Sequence, residues 1–318
     1  MRPIGGFLEL ETGTFRGELH AGAVALTSGR ACLAWILSVV RPTRVLAPYY
    51  CCDAVWNTLA ESQVECRPYA LDAQLRPIVD RSPTADEWLL YVNYFGLKSG
   101  IVRDLETQWQ GRLIVDNTQS FYSTPTPNTW AFNSARKFFG VPDGGYLFGA
   151  ELPRDLPANT EICWDHLIKR HLGRNSEAYS DFLGSEAKVR ANAVGISDFS
   201  RRLLGAIDYD SVARRRRDNF QLYHQELGRS NTFEFSEHSD SVPLCYPFLP
   251  SRELPRESLA VQSIYIPTFW PELNTRPDNG RFSFERVLSQ RLLPLPVDHR
   301  YSADDCLVVC RAIRGLLL

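Results

Sequence analysis

Lysine, carboxylate and small polar residues occur in two neighbouring segments of this chain, at spacings that could support covalent catalysis. Lys137 lies in FNSARKFFGVPDGGYLFG (132–149), three residues after Ser134 and seven before Gly144. Phenylalanines precede and follow Lys137, so we expect its amine to be partly desolvated, which favours the neutral, nucleophilic form. The alternative, a solvated surface lysine, remains open at this point.

The preceding polar segment, IVDNTQSF (114–121), places Asp116 at the end of an apolar strand. A helix cap or a solvated turn residue is the alternative interpretation of Asp116. One predicted strand separates Asp116 from Lys137, so neighbouring strand ends could bring both side chains to one pocket. This pair suits pyridoxal phosphate (PLP), because the lysine can form a Schiff base while the acid keeps the pyridine nitrogen protonated.

A third segment, TSGRA (27–31), has the composition of an anion site at the start of a helix. Its small residues would let backbone N–H groups approach an anion where a helix begins at Gly29, and Arg30 could add a charge-assisted contact. An ordinary loop or cap is the alternative for this segment.

Short apolar segments must position these residues. RVLAPYYCC, residues 88–96, residues 111–119, WAFNSA and GGYLFGA are β-prone, and helices are predicted from Gly29, in AVWNTLAES and over about 211–227. The near-continuous hydrophobicity of the strands indicates a largely parallel α/β sheet covered on both faces, with ligands bound at the strand carboxyl ends. We expect a large domain over 1–210, followed by a linking helix and a small α+β domain over 211–318.

Composition indicates an ordinary globular protein of 318 residues, 44% hydrophobic, with a formal net charge of −2. This charge balance indicates neither a nucleic acid polymer nor a membrane as partner, and the arginine run 214–217 is interpreted as a solvated helix face. No apolar run reaches about 18 residues and no signal peptide is recognisable, so a cytoplasmic location is expected. The eight cysteines lack metal-site spacing, so we predict no metal.

Five segments together resemble the DegT/StrS-type sugar aminotransferases, which are fold type I PLP enzymes. In chain order they are VNYFG, VDNTQSF, KFFGVPDGGYL, GISDFSRRLLGAIDYDSVARRRRDNFQLYHQEL and RLLPLPVDHRYSADDCLVVCRAIR. The resemblance implies a mostly parallel central sheet flanked by helices, with a smaller α+β domain at the C-terminal end.

The resemblance also implies roles for individual residues. Lys137 would be the Schiff-base lysine and general acid/base, Asp116 the pyridinium partner, and Gln119 a contact on the ring hydroxyl side. Gly29 and Arg30 would form the phosphate turn.

Three further roles rest on positions where this chain departs from the family. Ser134 is proposed for the phosphate although the family places its serine five residues before the lysine, where this chain has Phe132. Tyr49 or Tyr50 stands where a stacking aromatic is expected, and we take Tyr50 while core packing remains the alternative. Asn192 could replace the family's asparagine that reaches the partner subunit's site.

The function that follows is PLP-dependent transfer of an amino group from glutamate to a nucleotide-linked keto sugar. The product would serve surface polysaccharide or secondary-metabolite biosynthesis, and the enzyme would be a homodimer. The alternatives are a PLP-dependent sugar dehydratase, which in this family is associated with loss of the lysine, and a non-catalytic PLP-fold sensor or scaffold. An acylating Ser-x-x-Lys enzyme is disfavoured, because its companion motifs are absent from the sequence.

Overall fold

The computed structural model describes residues 10, 12–79, 84, 86–127, 129–235 and 241–318. Within these residues the strands are β1 (Val24–Leu26), β2 (Arg44–Pro48), β3 (Glu65–Leu71), β4 (Pro77–Ile78), β5 (Glu87–Val92), β6 (Leu113–Asp116), β7 (Trp130–Phe132), β8 (Gly145–Phe148), β9 (Cys245–Phe248) and β10 (Leu293–Pro296). The helices are α1 (Gly29–Val40), α2 (Asp53–Glu61), α3 (Ser99–Trp109), α4 (Asp165–His171), α5 (Asn175–Lys188), α6 (Asp198–Gly205), α7 (Tyr209–Leu227), α8 (Arg256–Ala260), α9 (Ser283–Arg291) and α10 (Ala303–Leu317).

The central sheet has eight strands in the order β1-β8-β7-β6-β5-β2-β3-β4. Strands β7, β6, β5, β2 and β3 are parallel, whereas β8 is antiparallel to both of its neighbours and β4 is antiparallel to β3. The predicted, mostly parallel α/β sheet is therefore confirmed. Because β6 and β7 run in the same direction, the residues that follow them emerge at the same edge of the sheet.

Helix α1 begins at Gly29, as TSGRA predicted. The Ser28 hydroxyl accepts a hydrogen bond from the Ala31 amide (3.2 Å) and so caps the helix N-terminus. The apolar side of α1 packs into the main core beneath the sheet, which includes Leu33, Ile36 and Leu37. This packing fixes the start of the helix near the β6 and β7 ends.

A second sheet pairs β9 and β10 antiparallel, and its core includes residues of α7 and α10. Cys306 and Cys310, one helical turn apart on α10, are buried there. The chain after residue 211 is nevertheless shared among three cores, since Phe282 and Leu288 belong to the main core and Val212 to the cluster around Phe121. The predicted domain boundary at 210/211 stays a prediction.

The arginine run on α7 is only partly the solvated face that the sequence predicted. Arg214, Arg215 and Arg217 are exposed, but Arg216 is only 1% exposed. The prediction was wrong for Arg216 because the helix turns that position toward the protein interior. None of the described helices is long and apolar enough to cross a membrane.

Candidate active site

Asp116 and Lys137 follow adjacent parallel strands and lie at the same edge of the sheet. Asp116 is the last residue of β6, in register with Val92 of β5 and Phe132 of β7. Lys137 ends a short 3-10 turn, residues 135–137, that starts three residues after β7. The strand order thus places the predicted acid and the predicted lysine on neighbouring connections.

Asp116 is a buried carboxylate at 6% exposure. Burial raises its pKa to about 6, although a hydrogen bond from Thr118 and the positive charge of Lys137 both act to lower it. The Thr118 amide donates to Oδ1 at 2.8 Å. Burial thus outweighs the hydrogen bond from Thr118 and the charge of Lys137 in setting the pKa of this carboxyl.

Lys137 itself is exposed, so the expectation of a desolvated amine was wrong. Phe138 and Phe139, which suggested desolvation, turn away from the amine and pack in a separate core cluster that includes Phe121. The physical reason is that residues adjacent in a turn point in different directions. The Lys137 side chain is therefore exposed, while the next two side chains anchor its turn in the core.

Gln119 and Ser134 lie next to this pair. Gln119 is 6% exposed, and its Oε1 accepts a hydrogen bond from the Phe95 amide at 2.7 Å. Its Nε2 donates no hydrogen bond to another described residue. Ser134 is 8% exposed and caps the lysine turn without a side-chain bond to the backbone, so its hydroxyl is available as well.

Arg30 is already occupied by a carboxylate of α5. Its Nη2 lies 2.9 Å from Glu186 Oε2, and its Nη1 donates to the Glu186 and Val189 carbonyls near the end of α5. Arg136 also pairs with Glu186. Burial raises the pKa of Glu186, but the charges of Arg136 and Lys137 outweigh this, and the pKa is lowered overall.

Gly29 and Gly145 lie where the start of α1 passes close to the antiparallel pair β7–β8, whose connection carries Lys137. A Cβ on Gly145 would lie 2.8 Å from the Gly29 nitrogen and 2.7 Å from the Ser28 carbonyl carbon. Gly144 has a φ of +131°, which favours glycine, and a Cβ there would meet Ile196 at 2.9 Å. The glycine pair thus makes room for the start of α1 and for Ile196.

Tyr50 lies in the core. Its ring meets Trp270 edge-on at 4.5 Å and stacks with Tyr94 at 5.8 Å. At 0% exposure it offers no face to a cofactor in this conformation, so the structure favours the core-packing alternative. Tyr49 is also engaged, stacked on Phe282 at 4.0 Å.

Cys52 lies four residues after the end of β2, and the charges of Asp116 and Lys137 both act on the pKa of its thiol. It is half-buried, and burial raises the pKa of its thiol. The charge of Asp116 raises this pKa further, whereas the charge of Lys137 lowers it. The neighbouring Cys51 is buried, and its Sγ donates to the Pro48 carbonyl at 3.1 Å.

Asn192 is exposed. It lines a surface cavity together with Arg136 and Lys188, and neither Asp116 nor Lys137 is among the described residues that line it. The predicted role of Asn192 in a partner subunit's site stays a prediction.

The sequence also missed two charged residues. Glu186 was not singled out, and Arg216 was assigned to a solvated face, because each acquires its contacts from parts of the chain far away in sequence. The one available hint was that Arg216 lies four residues before Phe220 on a helix whose apolar positions face inward.

No family model and no curated protein sequence matches the chain, but solved structures do. The sugar aminotransferase CalS13 from Micromonospora echinospora aligns with a TM-score of 0.63 over 92% of this chain and 87% of that chain, at 16% identity. A DegT DnrJ EryC1 StrS aminotransferase from Brucella abortus gives 0.61 over 93% and 87%, at 15% identity. Spr1654 from Streptococcus pneumoniae in its PMP form gives 0.66 over 93% and 87%, at 14% identity, and its PLP form also gives 0.66.

These similarities define the fold of the chain. It has the fold type I architecture of PLP-dependent aminotransferases, with the mixed eight-stranded sheet and flanking helices described above. At these identities the likeness concerns the fold, and what the site does has to be argued from its residues.

Proposed function

We propose that this protein is a PLP-dependent aminotransferase that moves an amino group from glutamate to a nucleotide-linked keto sugar. The observation that carries the proposal is that buried Asp116, at the end of β6, and exposed Lys137, in the turn after β7, lie on neighbouring connections at the same edge of the sheet. The shared fold with sugar aminotransferases supports it. Surface polysaccharide or secondary-metabolite biosynthesis would use such a product.

The described residues fit PLP at its ring end. Asp116 is a buried carboxylate whose pKa is raised to about 6, and a protonated pyridine nitrogen would supply the positive charge that it lacks. The unused Nε2 of Gln119 and the free hydroxyl of Ser134 are donors for oxygen atoms of a ligand. Lys137 is exposed, at the end of the turn that Ser134 caps, and would be the amine that condenses with an aldehyde.

The phosphate end fits in part. The α1 N-terminus offers backbone N–H groups beside Gly29, which suit an anion. Arg30 does not fit as it stands, because Glu186 and the end of α5 hold its guanidinium. It would bind phosphate only after Glu186 releases it.

Each residue then has a defined task. Bound PLP supplies an aldehyde for covalent attachment and a ring that withdraws electrons. Asp116 holds the proton on the ring nitrogen, and the buried position of its carboxylate keeps water from competing for that proton. The Lys137 amine would hold the cofactor covalently and, when free, would act as the general acid/base that moves the proton, a task typically worth roughly 10²- to 10⁴-fold in rate.

We also propose that the protein is a homodimer in which Asn192 lies near the partner's site. Exposure of Asn192 and of the adjacent cavity is compatible with this arrangement. Sedimentation equilibrium of the purified protein would measure the oligomeric state, and a monomer at all concentrations would contradict the proposal.

The decisive experiment locates the attached cofactor. The chain has four lysines, Lys98, Lys137, Lys169 and Lys188, so PLP fixed by borohydride can be assigned by peptide mass spectrometry. We expect the label on Lys137 alone, lost in Lys137→Ala and kept in the control Lys188→Ala, which changes another exposed lysine. Absence of label from wild type would contradict PLP binding through Lys137.

Substrate use is tested on the same material. Glutamate should convert the bound PLP to its amine form, and a panel of nucleotide-linked keto sugars should then show an aminated product by mass spectrometry. Attachment at Lys137 without conversion by any amino donor would favour the sensor or scaffold alternative.

A further inference from the structure

Arg216 is the one buried arginine in the α7 run of four. It is 1% exposed, whereas the arginines on either side of it are exposed. Its partners among the described residues are carbonyl oxygens and an aromatic ring, not a carboxylate. A cation in this position costs free energy of desolvation that carbonyl dipoles only partly offset.

The guanidinium joins the lysine turn to the segment that leads into β9. Nη2 donates to the Phe138 carbonyl at 3.2 Å, and Nη1 donates to the Pro243 and Leu244 carbonyls, each at 3.2 Å. The guanidinium carbon also lies 4.4 Å from the centre of the Phe138 ring. Phe138 directly follows Lys137, so both its backbone and its side chain are held by one group.

The segment that leads into β9 also contacts Phe95, which in turn holds Gln119. The Leu244 amide donates to the Phe95 carbonyl at 2.8 Å, and the Phe95 amide donates to Gln119 Oε1 at 2.7 Å. A path of hydrogen bonds, joined through the backbones of Leu244 and Phe95, therefore leads from the Phe138 carbonyl through Arg216 to Gln119.

Folding alone does not require a charge here. Burial lowers the pKa of Arg216 to about 10, and its Nε is buried without a partner among the described residues. Asp298, whose charge acts to raise this pKa, is itself paired with Arg300 at 2.6 Å. An apolar side chain of similar volume would avoid the desolvation cost but would leave three carbonyls without their donor.

We propose that Arg216 is a positioning residue, which fixes the turn carrying Lys137 against the Pro243–Leu244 segment and thereby aims the lysine amine. The inference rests on the proposed role of Lys137. A planar guanidinium suits this task, because its fork reaches carbonyls on two segments at once while its face covers the Phe138 ring. The single ammonium of a lysine cannot reproduce that geometry.

The test compares wild type with Arg216→Met and Arg216→Lys, and uses Arg215→Met, an exposed neighbour on α7, as the matched control. The first measurement is the rate constant for covalent capture of added PLP, in which the Lys137 amine condenses with the aldehyde and releases one water. Since a misplacement of 1 Å can cost about 100-fold, we expect Arg216→Met to slow capture by about that factor. Arg216→Lys should fall between, and Arg215→Met should match wild type.

The second measurement is amide hydrogen exchange in the cofactor-free protein. Arg216→Met should accelerate exchange at residues 137–139 and at Leu244, whose amides are hydrogen-bonded in the turn and the segment, beyond any change elsewhere. If Arg216→Met does not fold, the capture rate and the hydrogen exchange are both measured on Arg216→Lys instead.

The outcomes separate the two proposals. Wild type that captures no PLP on Lys137 defeats the proposed function, and hydrogen exchange then still decides whether Arg216 holds the turn. Capture at the wild-type rate in both Arg216 variants would overturn the positioning role. So would an exchange increase spread evenly over the protein, which would indicate a loss of global stability only.

Discussion

At the scale of single residues, Asp116 carries the most specific chemistry of the site. Its position at a strand end was readable from the sequence, but its titration behaviour depends on the burial that the sheet and its covering helices provide. The consequence is a carboxylate that is costly to ionise in the free protein and that a cationic ring nitrogen would stabilise.

The free energy that ionisation of the buried Asp116 carboxyl costs can be measured in the cofactor-free protein by replacing Asp116 with asparagine. The folded carboxyl keeps its proton up to about pH 6, whereas the unfolded one loses it near its ordinary value of 3.8, so the folded state binds more protons in between. The unfolding free energy of wild type should therefore fall, relative to Asp116→Asn, by up to about 3 kcal/mol as pH rises through this window.

Urea unfolding of both proteins at pH 4 and pH 7 gives this difference. The asparagine variant serves as its own reference because the other titrating groups are common to both chains. An equal difference in unfolding free energy at the two pH values would contradict the raised pKa.

Residue identities were easier to predict than residue surroundings. Asp116 and Lys137 could be chosen because each type is needed for one chemistry and their spacing fits adjacent strand ends. The engagement of Arg30 by Glu186 could not be predicted, since 156 residues separate the partners and no local pattern indicates that α5 reaches α1. The same limit applies to the choice between Tyr49 and Tyr50, because the rings that they contact, Phe282 and Trp270, lie more than 200 residues away.

At the scale of elements, the site depends on how closely β8 passes the start of α1. Gly145 has backbone atoms of Ser28, Gly29 and Asn133 within 2.8 Å of where a Cβ would stand. Backbone atoms cannot move aside as a flexible side chain can, so any side chain at this position forces the strand and the helix apart.

Gly145→Ala should accordingly destabilise the protein by about 1–3 kcal/mol, the usual range for overpacking. Gly184→Ala is the control, because it adds the same methyl group inside α5 with nothing within 4 Å, and it should stabilise by up to about 1 kcal/mol. Thermal or urea unfolding measures both. Equal effects of the two substitutions would show that the close approach does not matter.

The elements themselves were largely predictable. Strands β5, β6, β7 and β8 coincide with short apolar segments, because residues covered on both faces of a sheet must all be apolar. The start of α1 was predictable from its cap. The segment 150–195 was not, since its two helices expose much of their apolar surface and show little of the pattern that a core imposes.

At the scale of the whole molecule, the C-terminal part of the chain returns to the large sheet. Glu285 of α9 is 1% exposed, and its Oε1 accepts a hydrogen bond from the Leu71 amide at the end of β3, at 2.5 Å. Burial raises the pKa of Glu285, which favours a neutral group at this position. The contact joins residues 214 positions apart.

Glu285→Ala should cost about 1–3 kcal/mol, because it leaves the buried Leu71 amide without an acceptor. Glu285→Gln retains an acceptor oxygen without a charge and should be at least as stable as wild type at pH 7. Urea unfolding of the three proteins distinguishes them. Wild-type stability in Glu285→Ala would show that the amide finds another acceptor.

Most of the candidate site comes from one short stretch of chain. Asp116, Gln119, Ser134, Lys137 and Gly145 fall within 30 consecutive residues, on neighbouring strands of the sheet and the connections between them. Closing loops this short costs little chain entropy, and only the start of α1 must arrive from a distance. The reactive centre is thus a unit of low contact order, which can assemble early in folding. Segments that are distant in sequence then determine which ligands can enter it.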